Sequence, residues 1–117
     1  MTRADVSRGD IWWMDWPSGR GSEQAGRRPG LIVQTDTANH NPRYANVIAV
    51  AVSTKGRHLP FHVRLEPSPN NGLTMISFAK CEQLATISKG RLQGRLGAAD
   101  ADEMRRVDQA LRWVLDL

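Results

Sequence analysis

The chain is poor in cysteine and in long apolar runs, and each shortage excludes a class of protein. Its 117 residues include one cysteine, Cys81, so neither a disulfide framework nor a zinc site built from paired cysteines is available. No apolar run approaches the roughly 20 residues that span a bilayer, and residues 1–5 lack the apolar core of a signal peptide. We therefore expect a single cytoplasmic domain over residues 1–117, with no membrane segment.

The charge of the chain is basic and is concentrated in one segment. Sixteen lysines and arginines oppose twelve aspartates and glutamates, a net charge of +4 that favours nucleic acid or another anionic partner. In Arg20–Pro29, three arginines share ten positions with one glutamate and two glycines, and the apolar run Leu31–Val33 follows directly. Two interpretations are open: a solvated basic turn, or a loop that presents guanidinium groups to phosphate from the start of a strand.

The hydrophobic pattern predicts a small β-rich domain. Strands are expected at Asp10–Trp16, Gly30–Thr35, Asn46–Ser53, Phe61–Leu65, Leu73–Ala79 and Glu82–Ile87. The Asn46–Ser53 run is apolar at nearly every position, which indicates a central strand buried on both faces. Asp36–Arg43 and Ser88–Gln93 are expected to form loops or single helical turns.

The C-terminal segment has a helical period instead. Apolar side chains recur at spacings of three and four from Met104 to Val114, and Asp100 with Glu103 forms a capping-box pattern. The pattern predicts an amphipathic helix over Ala101–Leu115 that packs on the sheet. The expected fold is therefore mainly β, an antiparallel barrel or strongly bent sheet with a C-terminal amphipathic helix.

Several short segments, taken in order, form a known family pattern. They are Arg8–Trp12, Gly21–Pro29, Val52–Thr54, Pro60–Val63, Glu82–Ile87 and the closing Leu115–Leu117. Together they resemble the MazF/PemK toxins, the ribosome-independent endoribonucleases of bacterial toxin–antitoxin pairs. The resemblance implies an SH3-like barrel, a homodimer, a cognate antitoxin as partner, and cleavage of single-stranded RNA (mRNA) at a short sequence without a metal or other cofactor.

The resemblance also implies the catalytic residues. In this family the 2′-hydroxyl attacks its own phosphorus, leaving a 2′,3′-cyclic phosphate and a 5′-hydroxyl. Arg28 matches the catalytic arginine, and its charge would stabilise the phosphoryl oxygens in the transition state. Ser53 aligns with the catalytic threonine, but Thr54 follows it, and neighbouring strand residues point to opposite faces, so both hydroxyls are candidates. Glu23 either accepts the 2′-hydroxyl proton or forms a structural ion pair with the arginines.

A second set of residues is expected to contact RNA outside the scissile phosphate. It comprises Arg20, Arg27, Gln24, Gln83, Trp16, Lys55 and His58. Aromatic faces hold unpaired bases, and we expect Trp12 to lie in the core and Trp13 or Trp16 to border the RNA groove or the dimer interface. Ala85 and Ser88 stand where the family often has arginine and aspartate, so sequence specificity cannot be transferred from relatives.

Three alternatives compete with this interpretation. His58 and His62 flank Pro60, and histidines can act as acid and base in a different kind of ribonuclease. The same fold also occurs in CcdB-type toxins, which bind gyrase through the end of the C-terminal helix and cleave nothing. A plain RNA-binding barrel would bind RNA without cleaving it.

Overall fold

The first strand follows directly from its composition, because three tryptophans and an isoleucine favour the pleated, half-buried surface of a sheet. In the computed structural model, which describes residues 5–17, 21 and 26–117, this strand joins an antiparallel sheet. The described strands are β1 (Asp10–Trp16), β2 (Gly26–Ile32), β3 (Asn46–Ser53), β4 (His62–Leu65), β5 (Ser77–Ser88) and β6 (Leu92–Ala98), in the spatial order β4-β5-β3-β2-β1-β6. The helices are α1 (Asp36–Asn39) and α2 (Ala101–Leu115), with a 3-10 turn at Lys89–Arg91.

The two faces of the sheet carry separate apolar clusters. On β1, alternate residues Trp12, Met14 and Trp16 enter one cluster, whereas Ile11 enters the other, as the two-residue period of a strand requires. Helix α2 covers the second cluster with its buried residues Val107 and Ala110. The expected fold class, mainly β with a C-terminal amphipathic helix, is confirmed.

Helix α2 has the bounds and the cap that the sequence predicts. The Asp100 carboxylate accepts the Glu103 backbone N–H at 2.7 Å, and the Glu103 carboxylate accepts the Asp100 backbone N–H at 2.9 Å. These two bonds complete the capping box and satisfy two backbone donors at the start of the helix.

Strand β5 is one bent strand, so the expectation of two separate strands over residues 73–87 is wrong. Its pairing with β3 jumps between neighbouring β3 positions, since Val50 pairs with Leu84 whereas Ala51 pairs with Lys80. The extra β5 residues 81–83 bulge out of the ladder, and a bulge bends its strand. The first part of β5 can therefore pair with β4 and the end of β3, while the second part pairs with the start of β3.

Strand β6 was missed because two glycines weaken its strand signal. Leu92–Ala98 contains Gly94 and Gly97, and pairs with β1. A Cβ at Gly97 would lie only 2.4–2.7 Å from backbone atoms of Asn70 and Asn71, so the backbone of the loop before β5 packs directly against β6. Only glycine fits there.

A group of polar side chains, here the α1 cluster (Gln34, Asp36, Asn39 and Lys89), fixes the connection from β2 to β3. The buried Asn39 side chain donates to the Gln34 carbonyl at 2.8 Å, and Gln34 donates to the Asn46 carbonyl at 2.9 Å. The largely buried Lys89 ammonium donates to the carbonyls of Asn39 at 2.9 Å and Asn41 at 3.2 Å. The buried polar side chains of this cluster therefore all have hydrogen-bond partners within the protein.

Candidate active site

Two predicted site residues lie on a strand and not in a loop. Strand β2 begins at Gly26, because Trp16 pairs with Gly26 and the β1–β2 ladder continues from there. Arg27 and Arg28 are thus strand residues, which corrects the expectation that the basic segment is a loop up to Pro29. A strand holds these guanidinium groups more rigidly than a loop would.

The register of the sheet places Arg28 beside the candidate hydroxyls. Gly30 pairs with Ala51 and Leu31 with Val50 across β2 and β3. Extending this register by two residues sets Arg28 opposite Ser53. The described ladder stops short of that pair, and Pro29 has no N–H to continue it, so the strands can separate here and leave space between them.

A cavity of about 430 Å³ occupies this space. Its described lining contains side chains from β1, β2, the end of β3, the segment before β5, β5 itself and β6. The polar and charged members are Arg27, Arg28, Ser53, Thr54, Lys55, Thr74, Ser77 and Lys80, and the others are Trp13, Pro29, Val52, Gly72, Leu73, Met75 and Leu96. The structure therefore brings Arg28, Ser53 and Thr54 to one site.

The electrostatic character of the cavity is cationic. Its described lining holds the four cations Arg27, Arg28, Lys55 and Lys80, and no described carboxylate. Arg28 is exposed, and neither it nor Lys80 forms a hydrogen bond or ion pair with any residue that the structure describes. Such a concentration of like charge between low-dielectric walls attracts an anion, because field lines focus in a cleft.

Arg27 differs from Arg28 in being held in place. Its guanidinium carbon lies 4.3 Å from the centre of the Trp13 ring, in a cation–π contact, and its Nε donates to the Gln93 Oε1 at 2.8 Å. Trp13 is half-buried and lines the cavity, which leaves part of its ring available to a ligand. Arg27 thus forms a fixed part of the wall, whereas none of the donors of Arg28 is bonded to a described residue.

Both candidate hydroxyls lie at the cavity. The Ser53 side chain is half-buried, and its Oγ accepts the Lys55 backbone N–H at 3.1 Å. That bond tightens the turn after β3 and leaves the hydroxyl proton free to be donated elsewhere. Thr54 is exposed. The turn at the end of β3 explains why two neighbouring residues share one site, since strand alternation no longer applies there.

The opposite wall of the cavity is apolar and closely supported. It includes Leu73, Met75 and Leu96, and the Met75 side chain is 61% exposed at its rim. Gly72 has a φ of 71°, and a Cβ there would collide with the Leu96 carbonyl oxygen. The segment before β5 is therefore fixed against β6 and forms a wall of defined shape.

The remaining RNA-contact predictions have different outcomes. Trp16 is 4% exposed and belongs to the core, so the expectation that it contacts RNA is wrong; strand alternation turns Trp13 to the cavity instead. Gln83 lies in the β5 bulge, and neither it nor the exposed His58 is part of the cavity lining. Arg20, Glu23 and Gln24 lie outside the described residues.

Sequence reasoning also missed several wall residues. Leu96 and Met75 line the cavity, and Gln93 holds Arg27 from outside it; all three come from segments without a motif, and their positions depend on pairing between distant strands. Lys80 gave one usable signal, because a lysine between the apolar residues Ala79 and Cys81 is an unusual neighbour in a strand.

The described residues contain no group of three or more histidine, cysteine, aspartate or glutamate side chains arranged to bind a metal ion. Burial raises the pKa of the Cys81 thiol to about 12, so this buried side chain stays protonated at neutral pH. No helix in residues 5–17, 21 and 26–117 is long and apolar enough to cross a membrane.

Comparison with known proteins assigns the chain to a family. It is 36% identical to endoribonuclease EndoA of Bacillus subtilis (strain 168), over 96% of each chain. An endoribonuclease from mycobacterial species has the same fold, with a TM-score of 0.78 and 26% identity, over 100% of this chain and 96% of that one. A mycobacterial endoribonuclease solved in complex with its cognate antitoxin gives a TM-score of 0.77 and 28% identity, over 96% of each chain. The family profile described as PemK-like, MazF-like toxin of type II toxin–antitoxin system matches residues 7–115, and the chain belongs to that family.

Proposed function

We propose that this chain is a sequence-specific endoribonuclease that cleaves single-stranded RNA by attack of the 2′-hydroxyl on its own phosphorus, without a metal ion. The observation that carries the proposal is the cationic cavity, where the guanidinium of Arg28, which has no described partner, and the hydroxyls of Ser53 and Thr54 line one space. Relatives of similar length that are named endoribonucleases support it.

The reaction needs charge stabilisation more than an activated protein nucleophile. The O2′–P bond forms as the P–O5′ bond breaks, the 2′-hydroxyl proton leaves to a base, and a proton reaches O5′ as it departs. Negative charge accumulates on the phosphoryl oxygens, and preorganised donors aimed at that charge are the most effective catalytic groups. A cavity with four cations and no described carboxylate in its lining suits such a transition state.

Arg28 is the residue we assign to this charge. Its planar fork can hold two phosphoryl oxygens at once, and it has no protein partner among the described residues to compete for those donors. A hydroxyl from Ser53 or Thr54 supplies a further donor. Ser53 suits the role because its Oγ already accepts the Lys55 N–H, which orients its own proton away from the turn.

Glu23 is proposed as the acceptor of the 2′-hydroxyl proton. The described lining of the cavity provides no carboxylate, so the base must come from elsewhere, and Glu23 lies close in sequence to β2. Arg20 and Gln24 of the same segment, together with Lys55, would contact the flanking nucleotides. Trp13, with Arg27 behind it, offers a stacking surface for one base.

The proposal includes the oligomeric state of the toxin, its cellular compartment and its inhibitor. One toxin domain would span residues 1–117, form a homodimer, act in the cytoplasm, and be neutralised by a cognate antitoxin. The structure of a relative with its cognate antitoxin supports this partner. An antitoxin segment that covers the cavity would block access of RNA to Arg28.

A second candidate, a CcdB-like toxin that binds gyrase, is favoured by one observation. The end of helix α2 exposes apolar side chains, with Trp113 at 58%, Leu115 at 49% and Leu117 at 84%. In a CcdB-like toxin this helix end would be the binding element. The free cations of the cavity have no role in that function, so we favour the nuclease.

The test is to incubate the pure protein with single-stranded RNA in EDTA and to map the ends of the products. Cleavage with 2′,3′-cyclic phosphate and 5′-hydroxyl ends is expected. Intact RNA would contradict the proposal; intact RNA that is nevertheless bound would indicate an RNA-binding barrel, and unbound RNA a gyrase binder. Sequencing the 5′ ends of cleaved transcripts would identify the recognition sequence.

A further inference from the structure

His62 has an environment that the proposed reaction does not explain. It begins β4, and its side chain is 7% exposed. Its Nδ1 accepts the Arg57 backbone N–H at 3.1 Å, and its Nε2 lies 2.9 Å from the Glu82 Oε2. The edge of the Phe61 ring meets the imidazole at a centroid distance of 5.1 Å. Both ring nitrogens are therefore engaged by the protein.

These contacts determine the tautomer of the imidazole. A backbone N–H can only donate, so Nδ1 is the unprotonated nitrogen and Nε2 carries the proton. That proton is donated to the Glu82 carboxylate, which lies in the β5 bulge. Glu82 thus selects the one tautomer that can accept the Arg57 N–H, in the way that a carboxylate orients a histidine in many sites.

The hydrogen bond from the Arg57 N–H to His62 joins the middle of the segment that follows β3 to the start of β4. This segment, residues 54–61, begins with the cavity residues Thr54 and Lys55. Gly56 packs against the Phe78 side chain, where a Cβ would collide with the Cβ, Cγ and Cδ1 atoms. The segment is therefore fixed by the Ser53–Lys55 bond at one end, by Phe78 below, and by His62 beyond the turn.

We infer that His62, oriented by Glu82, is a positioning residue that holds residues 54–61 so that the hydroxyls and Lys55 face the scissile phosphate. The inference rests on the proposed nuclease function. It assigns to His62 no contact with RNA: His62 is not part of the cavity lining, and both of its nitrogens are occupied. It also gives a reason for the β5 bulge, which brings Glu82 to the imidazole.

Two variants, each of which keeps one of the two hydrogen bonds of the imidazole, separate a positioning role of His62 from a catalytic one. In His62→Asn the amide oxygen replaces Nδ1 and can still accept the Arg57 N–H. In His62→Gln the amide nitrogen replaces Nε2 and can still donate to Glu82, but the Nδ1 acceptor is lost. We expect His62→Gln to lower kcat roughly tenfold and His62→Asn to remain within about threefold of wild type, because misplacement of a catalytic group by about 1 Å costs up to about a hundredfold.

Two readouts keep this test informative. Hydrogen exchange of the Arg57 amide, measured without RNA, should be slow in wild type and His62→Asn and faster in His62→Gln, with circular dichroism confirming that all three are folded. Glu82→Ala, which frees the tautomer, should fall between the two histidine variants in kcat.

The outcomes also separate this inference from the proposed function. Equal Arg57 exchange in wild type and His62→Gln overturns the inference, whether or not the protein cleaves RNA. Loss of cleavage in His62→Asn as severe as in Arg28→Ala also overturns it, because that result makes His62 a catalytic acid or base. Failure of the wild type to cleave any RNA, with the expected exchange pattern intact, overturns the proposed function alone.

Discussion

Strand β3 joins two polar regions that are built in opposite ways. At its start, the Asn46 carbonyl accepts a hydrogen bond from the α1 cluster. The side chains of Gln34, Asn39 and Lys89 in that cluster are all hydrogen-bonded to other residues of the protein. At its end, Ser53 lies in a cavity whose cations Arg28 and Lys80 have no described partner. Both regions are rich in polar groups on the same sheet, so composition does not distinguish them.

The difference shows how to separate structural from functional polar groups. A buried polar group without a partner costs free energy, so a region that serves the fold pairs every donor and acceptor. A region that binds a ligand leaves donors unpaired and exposed, because the bound ligand accepts their hydrogen bonds. By this criterion the start of β3 serves the fold, and the end of β3 has the unpaired donors expected of the proposed RNA-binding site.

The largest expected effect is the loss of Arg28 at the cavity end. Arg28→Ala should lower the single-turnover cleavage rate at least about a hundredfold, since removing one donor to a transition-state oxyanion costs about 2.7–4 kcal/mol. Its unfolding temperature should stay close to wild type, because the exposed side chain has no described partner. Arg43→Ala, an exposed arginine beyond α1, is the matched control. Activity of Arg28→Ala within tenfold of wild type would exclude its catalytic role.

The next largest effect is expected at the start of β3, where a substitution should change the stability of the protein and not its cleavage rate. Lys89→Met should lower the free energy of unfolding by about 1–3 kcal/mol, because two inward-facing carbonyls lose their charged donor. Chemical denaturation measures this loss of stability.

Lys55→Met is the complementary variant at the cavity: it should leave the free energy of unfolding unchanged and weaken RNA binding. The comparison between the two ends fails if Lys89→Met reduces cleavage by the folded protein more than Lys55→Met does.

A smaller effect should distinguish the two tryptophans of β1. Trp13→Leu should weaken RNA binding roughly tenfold, because an aromatic stacking surface is worth about 1–3 kcal/mol per base. Trp16→Phe should leave RNA affinity unchanged, since Trp16 is in the core and its Nε1 has no hydrogen-bond partner among the described residues. Binding isotherms with RNA and an uncleavable 2′-deoxy position test both. Equal loss of affinity in the two variants would contradict the placement of Trp13 at the cavity.

Acid should weaken the α1 end through Asp36. Hydrogen bonds from the Arg8 N–H and from Asn39, followed by the charge of His40 and Arg8, hold the pKa of the Asp36 carboxyl below its usual value of 3.8. A lowered folded-state pKa means that this stabilisation is present above about pH 4 and is lost as the pH falls through the lower value. Thermal unfolding between pH 5 and pH 2 should therefore depend less steeply on pH in Asp36→Asn than in wild type.

The smallest effect is expected for His58. His58→Ala should keep kcat within about twofold of wild type and leave the pH profile unchanged, because His58 is exposed and outside the cavity lining. A pH–rate profile over the neutral range is the measurement. Disappearance of one limb of that profile would move the acid–base chemistry to histidine and contradict the assignment to Arg28 and a hydroxyl.

Much of the fold could be predicted from local pattern. Strands β1 and β3 and helix α2 have the predicted bounds, because each carries a strong period and clear ends, such as the Asp100 cap. The start of β2 and the whole of β6 were not predictable in this way. Glycine and proline make these strands locally weak, and the pairing with β1 on both sides forms them.

The sequence by itself determined the chemistry that is available: a run of guanidinium groups before Pro29, hydroxyls at the end of an apolar strand, and a helix with its own cap. These are properties of neighbouring residues, so they are legible locally. Only the tertiary structure decided that Arg28 and Ser53 line one cavity, that Trp13 and not Trp16 faces it, and that Lys80 and His62 belong to its surroundings. The physical reason is that register and bulges arise from contacts between residues far apart in the chain.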